Sequence, residues 1–154
     1  MNKKLLVSGC IGFAVLIVIQ GCSGGRPPLN LGINEGQLAP CPASPNCVSS
    51  EATAANQRVE PLRYADDAPQ ARARLLDVLN GMARIRIVQS TDDYLHAEFR
   101  SALWGFVDDL ECYFNPPGTI QVRSASRTGY YDFGVNRERL ETIRSQFSTT
   151  PVAP

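Results

Sequence analysis

The chemistry this chain can offer is concentrated in three short runs of alternating residues. His96, Glu98 and Arg100 stand two apart in the first run, Asp109 and Glu111 in the second, and Arg123 in the third. In an extended strand, residues two apart share a face, so all six meet on one surface if the runs pair side by side. Cross-strand neighbours lie about 5 Å apart there, close enough for a ladder of carboxylates and guanidiniums. Open to water, such a ladder is a set of ion pairs, each contributing about 1 kcal/mol or less. Covered by another segment, for which Cys41 to Tyr64 is the candidate, it becomes a cleft for an anionic or small polar ligand. His96 is the only histidine. Imidazole titrates near neutrality, so the alternative use of the same face is acid–base catalysis by His96 with Asp109 or Glu111.

A second constellation follows the third run. Ser124, Ser126, Arg127 and Tyr130 precede a helix start, and arginine together with a helix N-terminus binds anions. The plainer reading is a turn at Arg127-Thr128-Gly129, with the hydroxyls capping loose backbone groups. Asp108, Asp109 and Glu111 are hard oxygen donors. Adjacent strand residues point to opposite faces, however, so no metal site is expected, and no cofactor. H-E-x-x-H and G-x-G-x-x-G do not occur, which removes the signatures of zinc proteases and dinucleotide binding and leaves the catalytic residues unassigned.

These side chains need a frame, and the hydrophobic pattern supplies one. Asp66-Asp67-Ala68-Pro69 starts a helix with an acidic cap and a proline in the first turn. Ala71, Leu75, Val78, Leu79 and Met82 recur at helical spacing until Asn80-Gly81 stops it. Four strands follow, at Arg84 to Val88, Tyr94 to Arg100, Phe106 to Phe114 and Thr119 to Ser126. Their links are short, which makes antiparallel hairpins and not parallel crossovers. A last helix, with Asn136 as its cap, carries Leu140, Ile143 and Phe147 on one stripe. The expected fold class is α+β: a four-stranded antiparallel meander with two helices packed on one face and the charged ladder on the other.

The beginning of the chain points to an address. Lys3 and Lys4 precede an apolar run from Leu5 to Ile19, the layout of a secretory signal. Ile19-Gln20-Gly21-Cys22 then resembles the lipobox of bacterial lipoproteins, where the cysteine receives diacylglycerol. Several acyl chains on one cysteine give stable anchoring; the alternative is an uncleaved spanning helix, since the run is near the lower length limit. Residues 1–21 are thus expected to be a signal peptide, 22–40 a lipidated N-terminus and flexible tether, 41–147 the α+β domain and 148–154 a disordered tail. Ser23 after the cysteine resembles the pattern of lipoproteins that proceed to the outer membrane. The expected place is the cell membrane or outer membrane, with the domain in the periplasm.

Removing the leader takes away both lysines and leaves 13 arginines against 15 acids. A nearly neutral, lysine-free domain has no footprint for nucleic acid, and Schiff-base and P-loop chemistry lack their lysine. With Cys10 lost in the leader and Cys22 expected to carry lipid, Cys41, Cys47 and Cys112 remain. Cys41 and Cys47 bracket a turn-rich segment and are the natural disulfide pair in an oxidising compartment, with a metal or redox role and free thiols as the other readings. Cys112 falls among alternating apolar residues and reads as a small buried hydrophobe.

Four stretches also look familiar. They are Cys-Pro-Ala-Ser-Pro-Asn-Cys-Val-Ser-Ser at 41–50, His-Ala-Glu-Phe-Arg-Ser at 96–101, Gly-Phe-Val-Asp-Asp-Leu-Glu at 105–111 and Val-Arg-Ser-Ala-Ser-Arg-Thr-Gly-Tyr-Tyr-Asp-Phe-Gly-Val-Asn-Arg at 122–137. Over about residues 38–147 the chain resembles the bacterial and plastid family known as domain of unknown function 1499, many of whose bacterial members are lipoproteins. The resemblance implies an envelope location and no established activity. Cys112 stands where that family usually carries a plain apolar residue. The functional expectation is a lipid-anchored, non-catalytic domain that binds an envelope protein or small polar ligand through its polar sheet face. The alternative is an envelope enzyme using His96.

Overall fold

The computed structural model describes residues 25–150; the leader, Cys22 and residues 151–154 lie outside the described residues. The helix α1 (Ala68–Asn80) starts at Asp67, whose carboxylate accepts the Gln70 amide at 2.8 Å, with Pro69 in the first turn. It ends at Gly81, whose N–H reaches the Asp77 carbonyl. Ala71, Leu75, Val78 and Leu79 form its buried stripe. Arg74 lies on the same stripe, held by Asp66 at 2.7 Å with its guanidinium 4.3 Å from the centre of the Phe147 ring.

The next four strands are β5 (Ile85–Ser90), β6 (Tyr94–Arg100), β7 (Val107–Tyr113) and β8 (Thr119–Ser126), each antiparallel to its predecessor. The register sets Ala97, Leu110 and Ser124 in one row and His96, Glu111 and Arg123 in the next. The meander is there, but the sheet is wider than four strands. β3 (Cys47–Ser49) pairs with β8 along its free edge, and β4 (Leu62–Arg63) pairs with β8 at Ile120 and Thr119, making six strands. Strands of two or three residues have no period to detect, which is why the pattern missed them. The segment from Cys41 to Tyr64 therefore widens the sheet, where the expectation had it covering the polar face.

The cover comes from an unexpected place. β1 (Ile33–Asn34) and β2 (Gln37–Leu38) form a two-stranded ribbon in the stretch read as tether, and Leu38 and Ala39 are buried. Residues 32–40 are thus part of the folded body. Their glycines suit a tight hairpin as well as a linker, and composition alone does not separate the two.

The last helix, α2 (Val135–Thr149), begins at Gly134, one turn-setting step before Asn136. Asn136 is not the cap. Gly134 holds that position with no side-chain bond of its own, and Asp132, two residues earlier, accepts the Gly134 and Asn136 amides at 3.0 Å each. The helix also runs through Ser148 and Thr149, two residues into the expected tail. Leu140, Ile143 and Phe147 join the α1 stripe and Leu95, Ala97, Phe99, Leu110, Cys112 and Val122 in one apolar cluster. Two layers result, with apolar burial on the helix side as the main driving force.

Candidate functional site

On the sheet face away from the helices, register alone brings the expected charges together. His96 Nε2 lies 2.7 Å from Asp109 Oδ1. Asp109 also accepts from Arg127, at 2.7 Å from Nη2 and 2.9 Å from Nε. Arg127 reaches on to Glu98, whose other oxygen takes Arg86 at 2.8 Å. A second group sits beside this one. Glu111 accepts Tyr94 OH at 2.8 Å and the Gly32 amide at 2.7 Å on one oxygen, and Arg123 at 2.8 Å on the other.

Apart from Arg86 at its rim, none of this is open to water. Exposure is 5% for His96, 1% for Asp109 and 0% for Glu111. The ribbon and the chain leading into it close the face: Gly32 donates to Glu111, and the Gly25 carbonyl accepts from Arg127 at 3.4 Å. Glu51 secures the far end of the ribbon by accepting the Leu38 amide at 2.9 Å.

Burial alone raises the Asp109 pKa, but hydrogen bonds from Arg127 and His96 outweigh it and hold the carboxyl below its ordinary 3.8. Glu98 behaves alike: burial is outweighed by Arg86 and Arg127, and its pKa falls below 4.5. The Asp109 hydrogen bonds, opposed by burial and reinforced by Glu98, push the Arg127 pKa up. Burial, then Glu111, pushes the Tyr94 phenol up, so it stays a donor. The result is a set of fixed charges matched in sign. A buried Arg–carboxylate network of this kind is held by its partners, and removing one leaves the others uncompensated.

Chemically, His96 with Asp109 has the contact of an acid–base pair, but Asp109 also shares its oxygens with Arg127, and chain covers the pair. The clefts of the molecule open elsewhere. One of about 460 Å³ lies between α2 and the end of β6, lined among others by Met82, Arg84, Phe99, Arg100 and Val135. Another, of about 620 Å³, lies within residues 29–40.

Two expected groupings are taken apart. Arg100 sits on the polar face by alternation but at the strand end, where it donates to the Gly105 carbonyl and stays out of the buried network. Ser124 and Ser126 face the helix layer, opposite to Arg127, so they build no anion site with it. Ser124 donates to Asn136 Oδ1 at 2.6 Å, and Asn136 Nδ2 donates to Ser126 at 3.0 Å. Asn136 is a fully buried joint, also donating to the Asn46 carbonyl and to Asp132. Asp108 likewise faces the helices, paired with Arg139 at 2.6 Å. Cys41 and Cys47 are joined by a disulfide with Cα atoms 5.6 Å apart, and Cys112 is a buried free thiol whose pKa burial pushes up.

Sequence reasoning missed Tyr94 and Arg86 as members of the charged face and assigned Arg127 to the wrong group. Tyr94 was findable, since it leads the same alternation as His96. Arg127 lies one residue past its strand; alternation carried on from Arg123 would have placed it on this face, but the strand pattern gave no sign that it persists that far. The exposed aromatics of the loops 101–106 and 127–134 carried no periodic signal at all.

Comparison with known proteins bears on this arrangement directly. A family model described as a protein of unknown function (DUF1499) matches residues 37–147. The matched stretch runs from the start of β2 to Phe147 on α2, and so contains the entire charged network. No curated protein matches the chain. Spanning that much of the sequence, the match shows that the chain belongs to the DUF1499 family.

Proposed function

We propose that this is a cell-envelope protein held at a bilayer by lipid on Cys22, and that its domain works by binding, not by catalysis. One observation carries the second half: the histidine–carboxylate constellation is sealed, and each member already has a partner within the fold. A general acid or base must reach its substrate; here the N-terminal segment occupies that space. The binding surface therefore moves off the polar sheet face to the cleft beside α2. There Arg84 and Arg100 donate to the backbone carbonyls of Arg100 and Gly105 and have no carboxylate partner among the described residues. Two carboxylates also line the cleft, Asp108, which Arg139 neutralises, and Glu138; against them, the remaining donors of Arg84 and Arg100 over an apolar wall of Met82, Phe99 and Val135 suit an anionic group. The anchoring half rests on the lipobox-like Ile19-Gln20-Gly21-Cys22.

Two measurements test these halves. Growth with labelled fatty acid should mark the wild type and not Cys22→Ala; label retained on the variant overturns the anchor. Any turnover found in the purified chain that vanishes in His96→Gln, with the unfolding midpoint kept, would overturn the binding reading.

A further inference from the structure

The loops 101–106 and 127–134 meet at one end of the sheet. Arg127 donates its amide to the Val107 carbonyl, and Ser101 donates to that of Phe106, so both loops leave from the same end of the strands. This end exposes six large apolar or aromatic side chains: Leu103, Trp104, Phe106, Tyr130, Tyr131 and Phe133. Trp104 is 66% exposed and Phe133 92%, too much apolar surface in one place to be incidental. Tyr130, Tyr131 and Phe133 lie side by side in tilted contact, with ring centres 5.9 and 6.3 Å apart. Phe133 holds a φ of 56°, a backbone conformation that bulky residues rarely adopt, while its ring projects outward.

The described chain begins at this same end. A side chain on Gly25 would meet Arg127 Cβ at 3.3 Å and Thr128 Cγ2 at 3.4 Å, and Thr128 leads directly into the aromatic loop. Gly25 stands three positions after Cys22, and three residue steps span at most roughly 11 Å. A lipid on Cys22 thus holds this end against the bilayer, with no long tether to let the domain turn over. Trp and Tyr favour the lipid–water interface. The cleft with Arg84 and Arg100 is lined by Ser101 and Ala102 of the same loop, and guanidinium matches phosphate geometry.

We infer that this end is a membrane-docking face: the aromatic loops enter the bilayer interface, and Arg84 and Arg100 take lipid headgroup phosphate. The inference rests on the anchoring reading above. Trp104 is the only tryptophan and serves as the probe. The full lipidated chain is placed in vesicles of phosphatidylethanolamine and phosphatidylglycerol, and flotation is measured alongside Trp104 emission. Emission should be quenched by bromine on the lipid chains and shielded from aqueous iodide. Phe133→Ser and Leu103→Ser, both in exposed loops, should each weaken the bromine quenching while the unfolding midpoint stays unchanged. A chain that floats while Trp104 remains open to iodide and untouched by bromolipid keeps its anchor and overturns the docking face. Shielding from both quenchers also overturns it, in favour of a second copy of the chain over the loops. A chain that does not float overturns the anchor itself.

Discussion

Over β6, β7 and β8 both faces of the sheet have a dry centre, and the two are held by different physics. On the helix side, Leu95, Ala97, Leu110, Cys112 and Val122 meet α1 and α2, and burial is favourable without regard to direction. On the other side, His96, Asp109, Glu111 and Arg123 are buried at similar depth, yet each charge is tolerable only because a particular partner stands at a particular distance. One face forgives small errors of placement. The other does not, and this is the face onto which the N-terminal segment has to fold. The contrast shows that a charged strand face need not be a solvated one, nor a site for ligands: it can be the fastening for a segment that looks like linker.

Four experiments sharpen or break that contrast. Arg127→Ala should have the largest effect, because it strips the guanidinium shared by Asp109 and Glu98. A loss of about 3–5 kcal/mol in chemical denaturation is expected; a loss below about 1 kcal/mol would mean the face is wet. Acid comes next. Asp109 and Glu98 have lower pKa values folded than unfolded, so between those values the unfolded chain binds more protons. Their contribution is complete above the ordinary 4.5 and 3.8 and drains as pH falls below them. The unfolding midpoint should therefore drop across that window in the wild type, and less in Glu98→Gln/Asp109→Asn. On the helix face, Ile143→Val removes one buried methyl group and should cost about 0.5–1.5 kcal/mol in the same titration. The smallest effect belongs to Arg86→Ala. Arg86 contacts the same Glu98 as Arg127 but is 67% exposed, so about 1 kcal/mol or less is expected. Equal losses for Arg86→Ala and Arg127→Ala would erase the distinction between a fastened face and a solvated ladder.

Much of the frame was legible before the structure. β6 and β8 alternate over 7 and 8 residues, long enough for period two to assign faces, and α1 announces itself through Asp67, Pro69 and Gly81. Cys41 and Cys47, bracketing a turn-rich segment, are the natural disulfide pair by sequence and are joined in the structure. The candidate site was half legible: alternation put His96, Glu98, Asp109 and Glu111 on one face, but it could not say whether that face was covered. The anion grouping of Ser124, Ser126 and Arg127 failed because closeness in sequence was taken for closeness in space, and alternation sends the serines to one side and the arginine to the other.

By itself, then, the sequence determined the α+β class, the order of the long elements and the face on which each strand residue stands. These follow from local periodicity and from which neighbours can be buried together. Only the tertiary structure decided that β3 and β4 widen the sheet, that Arg127 completes the charge network and that residues 32–40 lie down as a roof. Each of those depends on a bond between residues far apart in the chain, such as Gly32 to Glu111 across 79 positions. A local pattern carries no information about which distant backbone amide will be there to meet a carboxylate.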